Sequence, residues 1–229
     1  VFVDYASGNW CEGLTAYLAD HLLKEQLGQG AEYRRDTLKK YRDFVGEAHD
    51  FPLTEVRTRH SPSTEAVGYG KALMLFHMVR QQVGDDAYRR GLQRFYREQR
   101  GTRASFDDFR RAHEATSTAK LQAMFQQWVA RTGAPDLRLL DARVRRDGAG
   151  WIVSGRLHQQ QKAAPYALAV PLRIQTATGF MDQRVDMSGR DRAFEVPLAT
   201  EPLALQVDPA FALLRLLDQR ETAPSLGQV

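Results

Sequence analysis

Apolar residues recur at helical spacing from Cys11 to about Pro135 and at alternate positions beyond it, so the hydrophobic period changes once along the chain. The first part predicts a helix over 11–27, stopped by Gly28 and Gly30. A second, more polar helix is predicted over 32–45, on the surface. Residues 46–63 are turn formers without sustained periodicity, and a loop of that length in a compact domain is more often functional than idle. Thr64 then opens a strong helix with Leu73, Phe76, Val79 and Val83 at helical spacing, closed by Gly84. Asp85 is expected to cap the next helix, in which Tyr88, Leu92, Phe95 and Tyr96 share a face and which Gly101 ends. Ser105-Phe106-Asp107-Asp108 resembles a capping box that opens a short helix to about Ala115. Leu121, Met124, Phe125, Trp128 and Val129 form an apolar stripe that must face a core, and Gly133 and Pro135 end that helix.

Beyond Pro135 the period is two. A strand is predicted over 139–145, followed by a turn at 146–150 containing Asp147-Gly148, a strong hairpin signal. Trp151, Val153, Gly155 and Leu157 then alternate with Ile152, Ser154 and Arg156. Further strands are predicted over 167–176, 180–187, 192–198 and 203–207, a spacing that suggests a small antiparallel sandwich. Pro165, Pro171 and Pro197 belong at strand starts, edges or bulges. Asp208-Pro209 is expected to start a helical turn over 210–217, and 221–229 reads as an extension. The expected fold class is α+β with two domains: an all-helical lobe over 1–136, a β-sandwich over 137–208, and a helical turn and tail over 209–229.

Composition narrows the function classes. With 229 residues, 43% hydrophobic and 26% charged, the chain can bury a sizeable core. Its net charge of +4 comes mainly from arginines spread along predicted helices among acidic residues, which argues against nucleic acid as partner, where a clustered basic stripe is expected. The single cysteine, Cys11, excludes an internal disulfide and any multi-cysteine zinc site. No stretch approaches the roughly 20 apolar residues of a membrane span. Val1-Phe2-Val3-Asp4-Tyr5 carries neither an initiator methionine nor a signal-peptide layout, so the chain reads as a piece of something longer; its compartment is left open, since a disulfide-free chain of this size fits a cytoplasmic or a periplasmic protein.

Three places offer chemistry. Glu12 follows the turn Gly8-Asn9 and stands in the first turn of a predicted helix, where a carboxylate is either a favourable partner of the helix dipole or a ligand. Tyr69, between Gly68 and Gly70 and beside Lys71, can stand out from the head of the strongest helix. His113-Glu114-Ala115-Thr116-Ser117 begins like the zinc-binding H-E-x-x-H, but Ser117 fills the second histidine position and a serine hydroxyl is a poor zinc ligand. It reads as a coincidence in a surface helix.

Taken together, Trp10-Cys11-Glu12-Gly13-Leu14-Thr15-Ala16-Tyr17 and Tyr69-Gly70-Lys71-Ala72 resemble two segments of the zinc aminopeptidases of the aminopeptidase N type, a gluzincin family. Val83-Gly84-Asp85-Asp86-Ala87-Tyr88 and the stretch from Phe125-Gln126-Gln127-Trp128 to Gly133-Ala134-Pro135 also match that family's pattern, so the resemblance covers 1–136. It implies a thermolysin-like catalytic domain that hydrolyses N-terminal residues from peptides, with zinc as cofactor, Glu12 as a metal ligand and Tyr69 as the catalytic donor to the oxyanion. The chain contains no H-E-x-x-H, so the histidine ligands and catalytic glutamate are expected in a missing N-terminal half, which becomes a required partner. The fragment alone is expected to be inactive. Cys11 replaces the family's asparagine and Ala72 its glycine, and Cys11 is expected to be a buried small hydrophobe. The alternative is a non-catalytic scaffold, a pseudopeptidase of the same fold.

Overall fold

The computed structural model describes residues 1–45 and 49–222; part of the long predicted loop and most of the predicted extension lie outside them. The described residues group into two units, Val1–Gly133 joined by the segment from Leu217, and Ala134–Leu216. The mixture of helices and small antiparallel sheets is that of an α+β protein.

The first helix, α1, is continuous but not uniform. α-Helical Cys11–Ala16 passes into a π-helical segment, Tyr17–His21, and returns to α-helix at Leu22–Gln26. Helix α2, Gly30–Phe44, buries Arg34, Leu38 and Tyr41 along one face. Helix α3 has the same composite build: Pro62–Glu65, a π-helical segment Ala66–Lys71, and Ala72–Val83. It starts before Thr64 because Ser61 is the N-cap, accepting the Thr64 amide at 3.1 Å, and Pro62 is preset for the first helical position. Every residue from Ala72 to Val79 is buried, so this stretch of α3 is enclosed on all sides rather than along one stripe.

Helix α4, Asp85–Gln99, is not capped by Asp85, whose carboxylate instead takes Arg80 Nε at 2.7 Å; the N-cap is Gly84. Tyr88 and Phe95 point inward, but Tyr96 is 59% exposed and leaves the predicted face. Helix α5, Phe106–Glu114, has the capping box between Ser105 and Asp108. Helix α6, Gln122–Ala130, buries Phe125, Trp128 and Val129, with Leu121 just before it. A short parallel pair absent from the periodicity, β1 (Phe2–Val3) with β2 (Arg103–Ala104), ties the N-terminus to the segment before α5. No described helix is long and apolar enough to cross a membrane.

The second unit holds β3 (Leu137–Asp147), β4 (Gly150–Gln159), β5 (Leu168–Thr176), β6 (Gly179–Met187), β7 (Asp191–Leu198) and β8 (Pro202–Val207). They form two three-stranded antiparallel sheets, ordered β3-β4-β7 and β6-β5-β8. The Asp147-Gly148 turn closes the β3–β4 hairpin, with Asp147 opposite Gly150. Alternate residues Leu168, Val170, Leu172 and Ile174 of β5, and Phe194, Val196 and Leu198 of β7, are buried. Alternation fails in β4, where adjacent Ile152 and Val153 are both buried. Opposite β4, the β3 register shifts between Leu140 and Arg143, around Asp141 at φ 54°. Pro197 lies on the edge strand β7, whereas Pro171 sits in the central strand β5; β8 pairing begins only at Leu172, so the missing N–H faces no partner strand.

The helical turn expected over 210–217 does not form. Buried Asp208, at φ 49°, accepts the amides of Ala212 at 2.7 Å and Leu213 at 3.4 Å, and Phe211 also takes positive φ, so the chain is held in an irregular turn. A single 3₁₀ turn follows at Gln219–Glu221.

Candidate functional site

Glu12 is placed by its neighbours on both sides. Gly8 has φ 106°, and a Cβ there would lie 2.2 Å from the Leu53 carbonyl oxygen, so the turn requires glycine. Asn9 is buried and makes three bonds: its amide to Val56 O at 2.9 Å, its Nδ2 to Arg57 O at 3.0 Å, and its Oδ1 from the Cys11 amide at 3.1 Å. It therefore takes up one of the free amides at the start of α1 and locks that start to the 56–57 segment. Trp10 donates Nε1–H to Ala104 O at 2.6 Å and meets the Phe95 ring edge-on at 5.2 Å. With its backbone fixed in this way, half-buried Glu12 stands in the first turn of α1.

Tyr69 lies in the π-helical segment of α3, a local widening frequent at functional sites. Around it Gly68 backs onto Val56, which a Cβ would approach to 2.9 Å. The half-buried Tyr69 hydroxyl faces Glu12. Hydrogen bonding to that carboxylate is the first cause that raises its pKa, then burial and the Glu12 charge, while the Arg59 guanidinium opposes them. Tyr69 is thus held protonated at neutral pH, a hydroxyl donor beside a carboxylate acceptor. The Arg59 Cζ stands 5.9 Å from the centre of the same ring. The two residues singled out from sequence are brought together.

Other candidates are placed elsewhere. Lys71 turns inward, fully buried, and donates to Arg131 O at 2.7 Å; burial lowers its pKa to about 8 against the opposing charge of Asp50. It secures the end of α6. Cys11 is half-exposed rather than buried, with Sγ 3.9 Å from Thr15 Oγ1. His113 is not on a surface helix face: it is fully buried, stacked on Phe109 at 4.1 Å, with Nδ1 donating to Phe109 O at 2.8 Å. That packing, not metal binding, accounts for it.

A buried polar cluster escaped the sequence reading. Tyr17 and His21 stack at 4.8 Å within the π segment of α1. The Tyr17 hydroxyl bonds His77 Nδ1 at 3.2 Å and accepts from Arg80 Nη1 at 3.4 Å, while Arg80 also holds Glu25 at 2.9 Å. Arg34 Nη1 donates to His21 Nε2 at 2.7 Å. Its trace in the sequence is the polar series Tyr17, His21, Glu25, every fourth residue of a helix, which marks one face.

Among the described residues no group of three or more His, Cys, Asp or Glu side chains is placed to hold a metal ion, around Glu12 or elsewhere. A zinc site takes three protein ligands or more, so the described residues by themselves do not complete one. No protein-family model matches the sequence, and no curated protein matches it. Among solved structures, that of Legionella pneumophila aminopeptidase A in complex with aspartic acid is similar, with a TM-score of 0.57 and 16% identity, over 92% of this chain and 25% of that one. The chain thus spans a quarter of the length of that protein and has an aminopeptidase-like fold over the part compared.

Proposed function

We propose that this chain is the C-terminal portion of a zinc-dependent aminopeptidase that removes N-terminal residues from peptides: the helical part of a thermolysin-like catalytic domain followed by a β-sandwich. The observation that carries the reading is the meeting of Glu12 and Tyr69, from separate helices, at the start of α1. The fold likeness to an aminopeptidase supports it. In this reading Glu12 is one ligand of a zinc whose histidines and catalytic glutamate belong to an H-E-x-x-H segment elsewhere in the same protein. Zinc, when bound, supplies Lewis acidity and an activated water. The residues present here do the rest. Asn9 fixes the backbone at the start of α1, and the helix dipole favours the Glu12 carboxylate in that first turn. Tyr69, kept protonated, donates to the peptide carbonyl oxygen as it gains negative charge. Isolated, the chain offers Glu12 but no H-E-x-x-H with its two histidines and general base, and is inactive.

The test is to express the chain with its natural upstream sequence and measure bound zinc and hydrolysis of aminoacyl amides. Glu12→Ala loses zinc, whereas Tyr69→Phe keeps zinc and loses about 10²–10³ in kcat. Absence of an upstream H-E-x-x-H, or survival of function in both variants, leaves the pseudopeptidase scaffold instead.

A further inference from the structure

The segment 56–60 is tied to the start of α1 by the Asn9 bonds to Val56 O and Arg57 O, and carries Arg59 to the Tyr69 ring. Its two arginines behave differently. Arg57 turns back on its own backbone, with Nη1 donating to Thr54 O at 2.7 Å and Val56 O at 3.0 Å. Arg59 extends over the Tyr69 ring, Cζ 5.9 Å from its centre, with its Nη1 3.2 Å from Glu65 Oε2 and 58% of its side chain exposed. Glu65 is shared with Lys40 at 3.5 Å, so its charge does not belong to Arg59 alone. A guanidinium has five N–H donors in a planar fork that matches a carboxylate, and the Glu65 pair engages one edge at most. An exposed pair of this kind is weak enough to yield to a bound anion.

We infer that Arg59 is a specificity residue that receives a carboxylate of the peptide bound at the Glu12–Tyr69 site, an inference that rests on the peptidase reading above. The Tyr69 hydroxyl points to Glu12 while the guanidinium covers the ring, so the anion lies beside the peptide carbonyl that Tyr69 serves. Neither Arg57, folded onto carbonyls, nor Lys71, buried against Arg131, competes for it. The carboxylate is either the free C-terminus of a short peptide or an acidic side chain next to the scissile bond; the recognising chemistry is the same.

The experiment uses the full-length protein and two matched substrate pairs: a dipeptide with a free C-terminus against its C-terminal amide, and an amidated dipeptide with aspartate against one with asparagine as second residue. The wild type is expected to favour the carboxylate member of one pair by about tenfold in kcat/KM, through KM. Which pair shows the preference identifies the source. Arg59→Ala is expected to erase that preference by raising KM for the carboxylate substrate, and Arg59→Lys to keep part of it. Equal rates within both pairs for the wild type overturn the inference. So does a uniform loss of kcat on all four substrates in Arg59→Ala, which would mean that Arg59 only holds the Tyr69 ring. If the wild type hydrolyses none of the four, the peptidase reading itself fails and the inference falls with it.

Discussion

Gly13 and Ala72 meet where α1 crosses α3: a Cβ on Gly13 would lie 2.3 Å from the Ala72 Cβ and 3.0 Å from its carbonyl carbon. There is room for one methyl group at this crossing, and Ala72 supplies it. Gly13 follows Glu12 and Ala72 comes three residues after Tyr69, so the closeness of the helices at this point sets how near the carboxylate and the hydroxyl stand. Gly13→Ala gains up to about 1 kcal/mol of helix propensity but overpacks the crossing, at roughly 1–3 kcal/mol or more. The clash involves α3 backbone as well as side chain, so it wins. Chemical unfolding is expected to show net destabilisation. A stabilised Gly13→Ala would mean that the helices separate freely.

Acid should weaken the helical unit through His21 and His77. Burial, followed by the charge of Arg34, lowers His21 to about 4 and His77 to about 2, from 6.5. Arg34 can only donate, so His21 Nε2 accepts and its proton sits on Nδ1, 3.6 Å from Glu25 Oε2. Tyr17 likewise donates to His77 Nδ1 once Arg80 donates to Tyr17. Both histidines are therefore neutral when folded. Below pH 6.5 the unfolded chain binds protons that the folded chain refuses. Stability is thus fully present above 6.5 and is lost as pH falls toward 4, by up to roughly 1.4 kcal/mol per pH unit for each histidine. The urea midpoint is expected to drop between pH about 7 and about 5. His77→Phe should flatten that slope, and an unchanged slope would assign it to other groups.

Much of the element layout is legible in the residues because local signals and packing agree. The Ser105–Asp108 box opens α5, Asp147-Gly148 closes the β3–β4 hairpin, and alternation in β5 and β7 marks their buried faces. Signals failed where a distant partner decided the local form. The two π-helical segments, Tyr17–His21 and Ala66–Lys71, lie where α1 and α3 pack on each other and leave no mark in hydrophobic period. The residues at 210–217 have helix formers but lose their first amides to Asp208. Glu12 and Tyr69 each had an ordinary reading alone, as dipole partner and as packed aromatic. Their pairing was legible only through the family resemblance, since nothing in spacing says that residues on two helices will face each other.

Lys71 offers a second pH signature of opposite range. Its pKa is lowered to about 8 from 10.5, chiefly by burial. Between those values the unfolded chain holds a proton that the folded chain has released, so this group adds stability as pH rises from about 8 toward 10.5. Lys71→Met keeps the volume but leaves Arg131 O without its donor, at about 1–3 kcal/mol. The variant is expected to unfold at lower urea at neutral pH and to lack the alkaline gain. Equal stability of variant and wild type would show that another donor takes the carbonyl.

In the sheet unit Asp208 and Arg215 form an ion pair 2.9 Å apart with both side chains less than a twentieth exposed. Burial raises the Asp208 pKa, while the Arg215 guanidinium and the amides of Ala212 and Leu213 act against that rise. Asp208→Ala leaves a buried guanidinium without its carboxylate and frees the amides of Ala212 and Leu213. A cost of about 3–5 kcal/mol is expected, large against the stability of a small domain. Arg215→Ala removes the opposite charge and leaves the carboxylate buried, at a similar cost. The double variant leaves no unpaired charge, so it should cost clearly less than the sum of the two, and a double-mutant cycle by urea unfolding measures that difference. Additive losses would mean that each residue acts through its own packing, and that the turn over 210–217 is held by something other than the pair.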